Sequence, residues 1–267
     1  MSTLPCPRRP REIDYPTSDG KPMAETDLHR NEMTDVIHQL EDFYADRPQV
    51  YVSGNILLYY EEGNPRRHVS PDALVALDVP KRPPRLYYQV WKEGKAPELV
   101  MEITSKTTRR EDLKTKFAIY RDILRVSEYI LFDPKSEYLI PSLQGFRLMG
   151  GDYAPIELED GRLPSQVLGL HLERSGTSLR FYDPALGVRL PTRLERQRLA
   201  ERSAERAQRL AEDAERHAAS IQRTVEEVRL LAEEANRRAR DAETELRRVA
   251  EENERLRREI EALRAKG

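Results

Sequence analysis

Cysteine is almost missing from this chain of 267 residues: only Cys6 is present, so no disulfide can form within it. That fits a reducing compartment. No apolar run reaches the roughly 20 residues that a membrane-spanning helix needs. The first residues also lack the apolar core of a secretory signal, and a cytoplasmic protein with no membrane partner is expected. An excess of one charge is missing too: 45 Lys and Arg face 47 Asp and Glu, for a formal net charge of −2. Any contact with nucleic acid must therefore come from a local basic patch. Aromatic residues are few and stop early: five Phe, twelve Tyr and Trp91 all lie at or before Tyr182. Beyond Thr192 there is no Pro, no aromatic residue and no Gly before Gly267, so that stretch cannot form a packed core alone.

The residues present divide the chain into three. Residues 1–22 are rich in Pro and Arg, show no periodicity and read as a flexible lead. Residues 23–190 carry the core-forming side chains. Leu28, Met33, Ile37, Leu40 and Phe43 fall at helical spacing between Glu25 and Asp46. Val50–Val52, Ile56–Tyr60, Ala73–Leu77, Leu99–Ile103 and Glu128–Phe132 read as strands, with turn residues at Gly54-Asn55, Gly63-Asn64-Pro65 and Asp133-Pro134. A helix is expected from Arg109 to Leu124, with Phe117, Tyr120, Ile123 and Leu124 on one side. Short strands should follow around Phe146, Tyr153, Leu168 and Phe181. This order of helix, strands, helix and strands indicates an α/β domain with a mixed sheet flanked by helices.

Residues 192–265 read as one long helix. Thr192 and Glu195 have capping-box spacing. From Ala204 a seven-residue repeat places Ala204, Ala211, Ala218, Val225, Ala232, Ala239, Leu246, Asn253 and Ile260 at one seam position. Ala207, Ala214, Ile221, Val228, Ala235, Ala242, Val249, Leu256 and Leu263 occupy the other. Such a seam is that of a coiled coil, and a lone Asn at the first position favours a parallel, in-register homodimer. In that pairing Glu252 faces Arg257, Arg238 faces Glu243 and Glu259 faces Arg264. The alternative is a solitary charged helix held by its own i,i+4 ion pairs, since the alanine-rich half of the seam buries little area.

Chemistry concentrates between Pro71 and Tyr120. Asp72 precedes one buried-type strand and Glu102 lies inside another. A carboxylate in an apolar strand is costly unless it is paired or holds a cation. Two carboxylates on neighbouring strands repel, and oxygen ligands of this kind suit Mg²⁺ or Mn²⁺. Ser105, Thr107 and Thr108 follow, then Asp112, Lys114, Lys116 and Tyr120. Asp112 and Lys116 lie one turn apart and can pair. Lys106, Arg109, Arg110, Lys114 and Lys116 make the segment locally basic, although Glu111 and Asp112 interrupt it. Each residue also has a plainer role: Asp72 as a turn cap, Lys116 as a surface ion-pair partner, Tyr120 as core. Glu25, His29 and Glu32 on the first helix could approach the same place.

As an ordered set these residues resemble the Uma-two family of restriction-endonuclease-like proteins, assigned to the PD-(D/E)xK nuclease superfamily. The set comprises Pro71-Asp72, Leu99 to Ser105, Thr108, Asp112, Lys116, Tyr120, Val126 to Tyr129 and Asp133-Pro134. The resemblance covers roughly residues 25–185. It implies a restriction-endonuclease-like fold and Mg²⁺- or Mn²⁺-dependent hydrolysis of DNA, with Asp72 and Glu102 as the metal-binding acids. The superfamily's lysine position, two residues after the second acid, is Thr104 here, and the resemblance points instead to Lys116 on the next helix. Ser105 and Asp112 become supporting residues, and Lys106, Arg109 and Lys114 substrate contacts. The departure at Thr104 leaves a second reading open, a nuclease fold that serves as an inactive adaptor for nucleic acid or protein.

Overall fold

The computed structural model describes residues 13–18 and 26–264. In chain order the elements are α1 (Asp27–Phe43), β1 (Val50–Ser53), β2 (Leu58–Tyr59), β3 (His68–Val69), β4 (Ala73–Leu77), β5 (Tyr88–Gln89), α2 (Val90–Glu93) and β6 (Leu99–Ile103). A π-wound segment follows, Glu111–Lys116 and Ile119–Ile123. Then come β7 (Glu128–Phe132), β8 (Leu143–Met149), β9 (Asp152–Pro155), β10 (Leu163–Ser165), β11 (Leu170–Ser175), β12 (Ser178–Asp183), β13 (Val188–Arg189) and α3 (Arg193–Arg264).

The main sheet has the order β1-β4-β6-β7-β8-β9 and is mixed, as expected. Only β6 and β7 run parallel within it, because the π-wound segment carries the chain back between them. Both faces of the sheet are covered, which is why β6 and β7 read as near-continuous apolar runs. On one face, Val36 and Leu40 of α1 and Leu163, Leu172 and Phe181 of the four-stranded sheet β10-β11-β12-β13 pack on Ala73, Val75, Leu99, Met101 and Phe132. On the other, Tyr120 and Leu124 of the π-wound segment and its end, with Leu58 and Tyr88 of the small sheet β3-β2-β5, pack on Leu74, Val100, Tyr129 and Leu131.

One expectation changes. Ile123 was placed on the buried side of a regular helix, but it is 45% exposed. Leu124 N donates to Ile119 O, an i→i+5 bond, so the winding is wider and rotates Ile123 outward. Of the lead, residues 13–18 rest on the small sheet, with the Tyr15 ring 5.0 Å from that of Tyr59 and 5.5 Å from Trp91. Residues 1–12 and 19–25, and with them Cys6, lie outside the described residues.

The chain forms two units, residues 1–197 and 198–267. The start of α3 is the capping box read from the sequence: Glu195 N donates to Thr192 Oγ1 at 3.2 Å, and Thr192 N donates to Glu195 Oε2 at 2.8 Å. Among the described residues no helix is long and apolar enough to cross a membrane.

Candidate active site

Strand alternation places Glu102 on the same face of β6 as Val100, beneath the π-wound segment. Its side chain is 1% exposed, so its charge must be met inside the protein. Lys116 Nζ donates to Glu102 Oε2 at 2.8 Å, and the Tyr120 hydroxyl donates to Oε1 at 2.7 Å. Lys116 also donates to Ser70 O at 3.1 Å and lies 3.4 Å from Asp112 Oδ1. Asp112 is itself 1% exposed.

Asp72 enters from the neighbouring strand. The antiparallel register pairs Ala73 with Met101 and Leu74 with Val100, and one step further sets Asp72 opposite Glu102. Residues opposite each other in a ladder share a face. Asp72 Oδ2 accepts from Ile103 N at 2.7 Å, and Oδ1 lies 3.3 Å from His29 Nε2 on α1. The sheet edge at Asp72 is crowded: Asn55 N donates to Pro71 O, and Gly54 lies so close that an added Cβ would sit 2.0 Å from Asp72 O.

The electrostatics follow from burial. Desolvation drives the Glu102 carboxyl well above its usual range; Lys116 opposes this, and Asp72 and Asp112 reinforce it. Asp112 is raised for the same reason, burial outweighing Lys116. Burial alone would lower the Lys116 ammonium, but the carboxylates of Glu102, Asp112 and Asp72 outweigh it and raise it. One ammonium thus serves three carboxylates, and the cluster holds more acid than it can neutralise. A divalent cation would correct that excess. Asp72 and Glu102 offer hard oxygen donors of the kind Mg²⁺ takes. Among the described residues no group of three or more His, Cys, Asp or Glu side chains is placed to hold a metal ion.

The structure therefore brings together Asp72, Glu102, Asp112 and Lys116. Ser105 shapes the turn before the π-wound segment, its backbone N–H donating to Thr108 Oγ1 at 3.0 Å. Lys106, Arg109 and Lys114 are exposed and touch none of the acids. Sequence reasoning missed the roles of Tyr120, which it read as core, and of Ser70 O. It named His29 only as one of three residues that could approach. Of the other two, Glu32 turns instead to Leu179 N on β12, and Glu25 lies outside the described residues.

A family model described as "Putative restriction endonuclease", Uma2, matches residues 3–197. The chain belongs to the Uma2 family. A crystal structure described as that of "a putative nuclease belonging to DUF820 from Anabaena variabilis ATCC 29413" is similar over 57% of this chain and 80% of its own, at 14% identity and a TM-score of 0.43. No curated protein matches the chain. The family match carries the assignment, and the mixed sheet with helices on its faces is the fold expected of such a member. Thr104, two residues after Glu102, is buried and its hydroxyl has no hydrogen-bond partner. The ammonium beside Glu102 is that of Lys116 on the π-wound segment.

Proposed function

We propose that this Uma2 member is a metal-dependent endonuclease that hydrolyses DNA phosphodiester bonds, dimerised by α3. The observation that carries the reading is the pairing of Asp72 and Glu102 across adjacent strands with Lys116 on Glu102. Asp72 and Glu102 would hold Mg²⁺ or Mn²⁺, which when bound supplies a Lewis acid and lowers the pKa of water. Hydrolysis joins a water oxygen to phosphorus and breaks one phosphoester bond, and the leaving oxygen takes up a proton.

The chain's own groups prepare this. Lys116 keeps its proton, because the surrounding carboxylates hold its pKa up. Its ammonium donates to Glu102 Oε2 and Ser70 O and faces Asp112 Oδ1 at 3.4 Å, so it acts through its charge on the acids and on a phosphate brought beside them. Tyr120 fixes the second Glu102 oxygen and so the rotamer of that carboxylate. Ile103 N fixes Asp72 Oδ2, and His29 Nε2 lies 3.3 Å from Oδ1. Lys106, Arg109 and Lys114, exposed on the following segment, supply the phosphate contacts.

The dimer rests on the seam of α3. Val225, Val228, Leu246, Val249, Leu256 and Ile260 are all exposed in the single chain. A parallel partner would cover them and give each particle two sites, as cutting both strands requires.

Plasmid cleavage tests the reading. The full chain should nick and linearise DNA with Mg²⁺ or Mn²⁺, and Asp72→Ala and Glu102→Ala should each abolish it. Cleavage retained in both variants would overturn the assignment.

A further inference from the structure

Parallel strands end at the same edge of a sheet. β6 and β7 are the parallel pair, with Ile103 opposite Phe132 and Thr104 N donating to Phe132 O. The β7–β8 loop, residues 133–142, therefore leaves the sheet beside the turn that follows Glu102. The acids stand at that same edge, since Asp72 is opposite Glu102.

The loop is rigidly built. Asp133 is fully buried, and its carboxylate accepts from the backbone N–H groups of Lys135, Tyr138 and Leu139. Asp133 N donates to Ser142 O at 2.7 Å, closing the loop at its base. Leu139 is anchored in the core at 4% exposed, yet the next residue, Ile140, is 96% exposed. Lone exposed apolar side chains are common and mean little. This one differs in that a buried carboxylate and a buried neighbour fix the backbone that presents it, beside an acidic site. Cations surround the edge: among the described residues Lys106, Arg109 and Lys135 have no carboxylate partner, and Arg174 reaches Pro134 O.

We propose that the β7–β8 loop is the second wall of the DNA site and that Ile140 is a wedge that enters the base stack next to the scissile phosphate. Lys135 contacts the backbone across from Lys106 and Arg109. An apolar wedge partly unstacks a step and bends the duplex, and backbone cations hold the bent form. This rests on the nuclease reading for the choice of DNA as partner.

The test uses the full chain and a duplex carrying 2-aminopurine, with Ca²⁺ in place of Mg²⁺ to hold the bound state. Binding by the wild type should raise the 2-aminopurine fluorescence, and Ile140→Ala should bind without that rise. Ile140→Ala should also lose about tenfold in affinity for paired DNA, the value of one buried apolar side chain, and much less for a duplex with a mismatch at the step, where unstacking is already done. Lys135→Ala should lower the slope of log affinity against log salt by about one. Because Ile140 is exposed, its thermal melt should match the wild type. A fluorescence rise equal in wild type and Ile140→Ala, or equal losses on paired and mismatched DNA, would overturn the wedge. A wild type that binds with the rise but never cleaves in Mg²⁺ would overturn the hydrolysis reading and leave the wedge standing.

Discussion

Replacing Gly54 by Ala should disable the site without touching any of its side chains. The new Cβ would lie 2.0 Å from Asp72 O, 2.9 Å from Asp72 C and 2.7 Å from Ile37 Cδ1. The Ile37 methyl can rotate away, but the Asp72 carbonyl cannot. It is held by Asn55 N on Pro71 O and by the pairing of Ser53 with Leu74. Reaching ordinary contact would require the Asp72 backbone to retreat by on the order of 1.4 Å, and overpacking of this kind costs about 1–3 kcal/mol. Such a retreat would break the 2.7 Å bond from Ile103 N to Asp72 Oδ2, which sets the direction of that carboxylate. A misplacement of about 1 Å in a catalytic group costs roughly 100-fold in rate. The expected result is kcat/KM for Mg²⁺-dependent duplex cleavage down by about two orders of magnitude, with a melting temperature lowered by several degrees. Cleavage within threefold of wild type at an unchanged melting temperature would show that Gly54 does not position Asp72.

Three further outcomes are expected. Lys116→Met removes the ammonium from beside the buried carboxylates of Glu102 and Asp112 and the half-buried one of Asp72; breaking a buried pair costs about 3–5 kcal/mol. Glu102 and Asp112 are already raised and would protonate in compensation at low pH, so urea unfolding should show a larger loss at alkaline than at acidic pH, and an equal loss at both would refute this. Burial drives the Glu32 carboxyl from 4.5 up to about 7. Its protonated form favours the fold, so that stability, about 3 kcal/mol, is full below pH 4.5 and lost as pH rises through about 7. Thermal melts of Glu32→Gln should be flatter over that window than those of the wild type, and an identical slope would refute the assignment to Glu32. Removing the residues after Arg240 takes away the Leu246–Leu263 part of the seam with Asn253, and light scattering should then show monomers; a persistent dimer would mean that the α/β unit pairs by itself.

Strands β4, β6 and β7 and the start of α3 can be read from the residues alone. Each rests on local information: apolar runs of strand length ended by turn residues, or the Thr192–Glu195 cap, which needs only three residues' spacing. The sequence also singled out Glu102, because a carboxylate within an apolar strand is anomalous in any fold, while the roles of Asp72 and Lys116 came from the family resemblance. Tertiary structure alone decided how they meet. Sequence spacing does not fix register, and a one-residue slip between β4 and β6 would have turned Asp72 and Glu102 to opposite faces. The π winding was equally invisible, since its apolar positions fit an ordinary helix until Ile123 is seen outside. Tyr120 reads as core because it is core; only the position of its hydroxyl against Glu102 makes it part of the site. His29 and Gly54 act at Asp72 across long stretches of chain, and such contacts exist only once the sheet has folded.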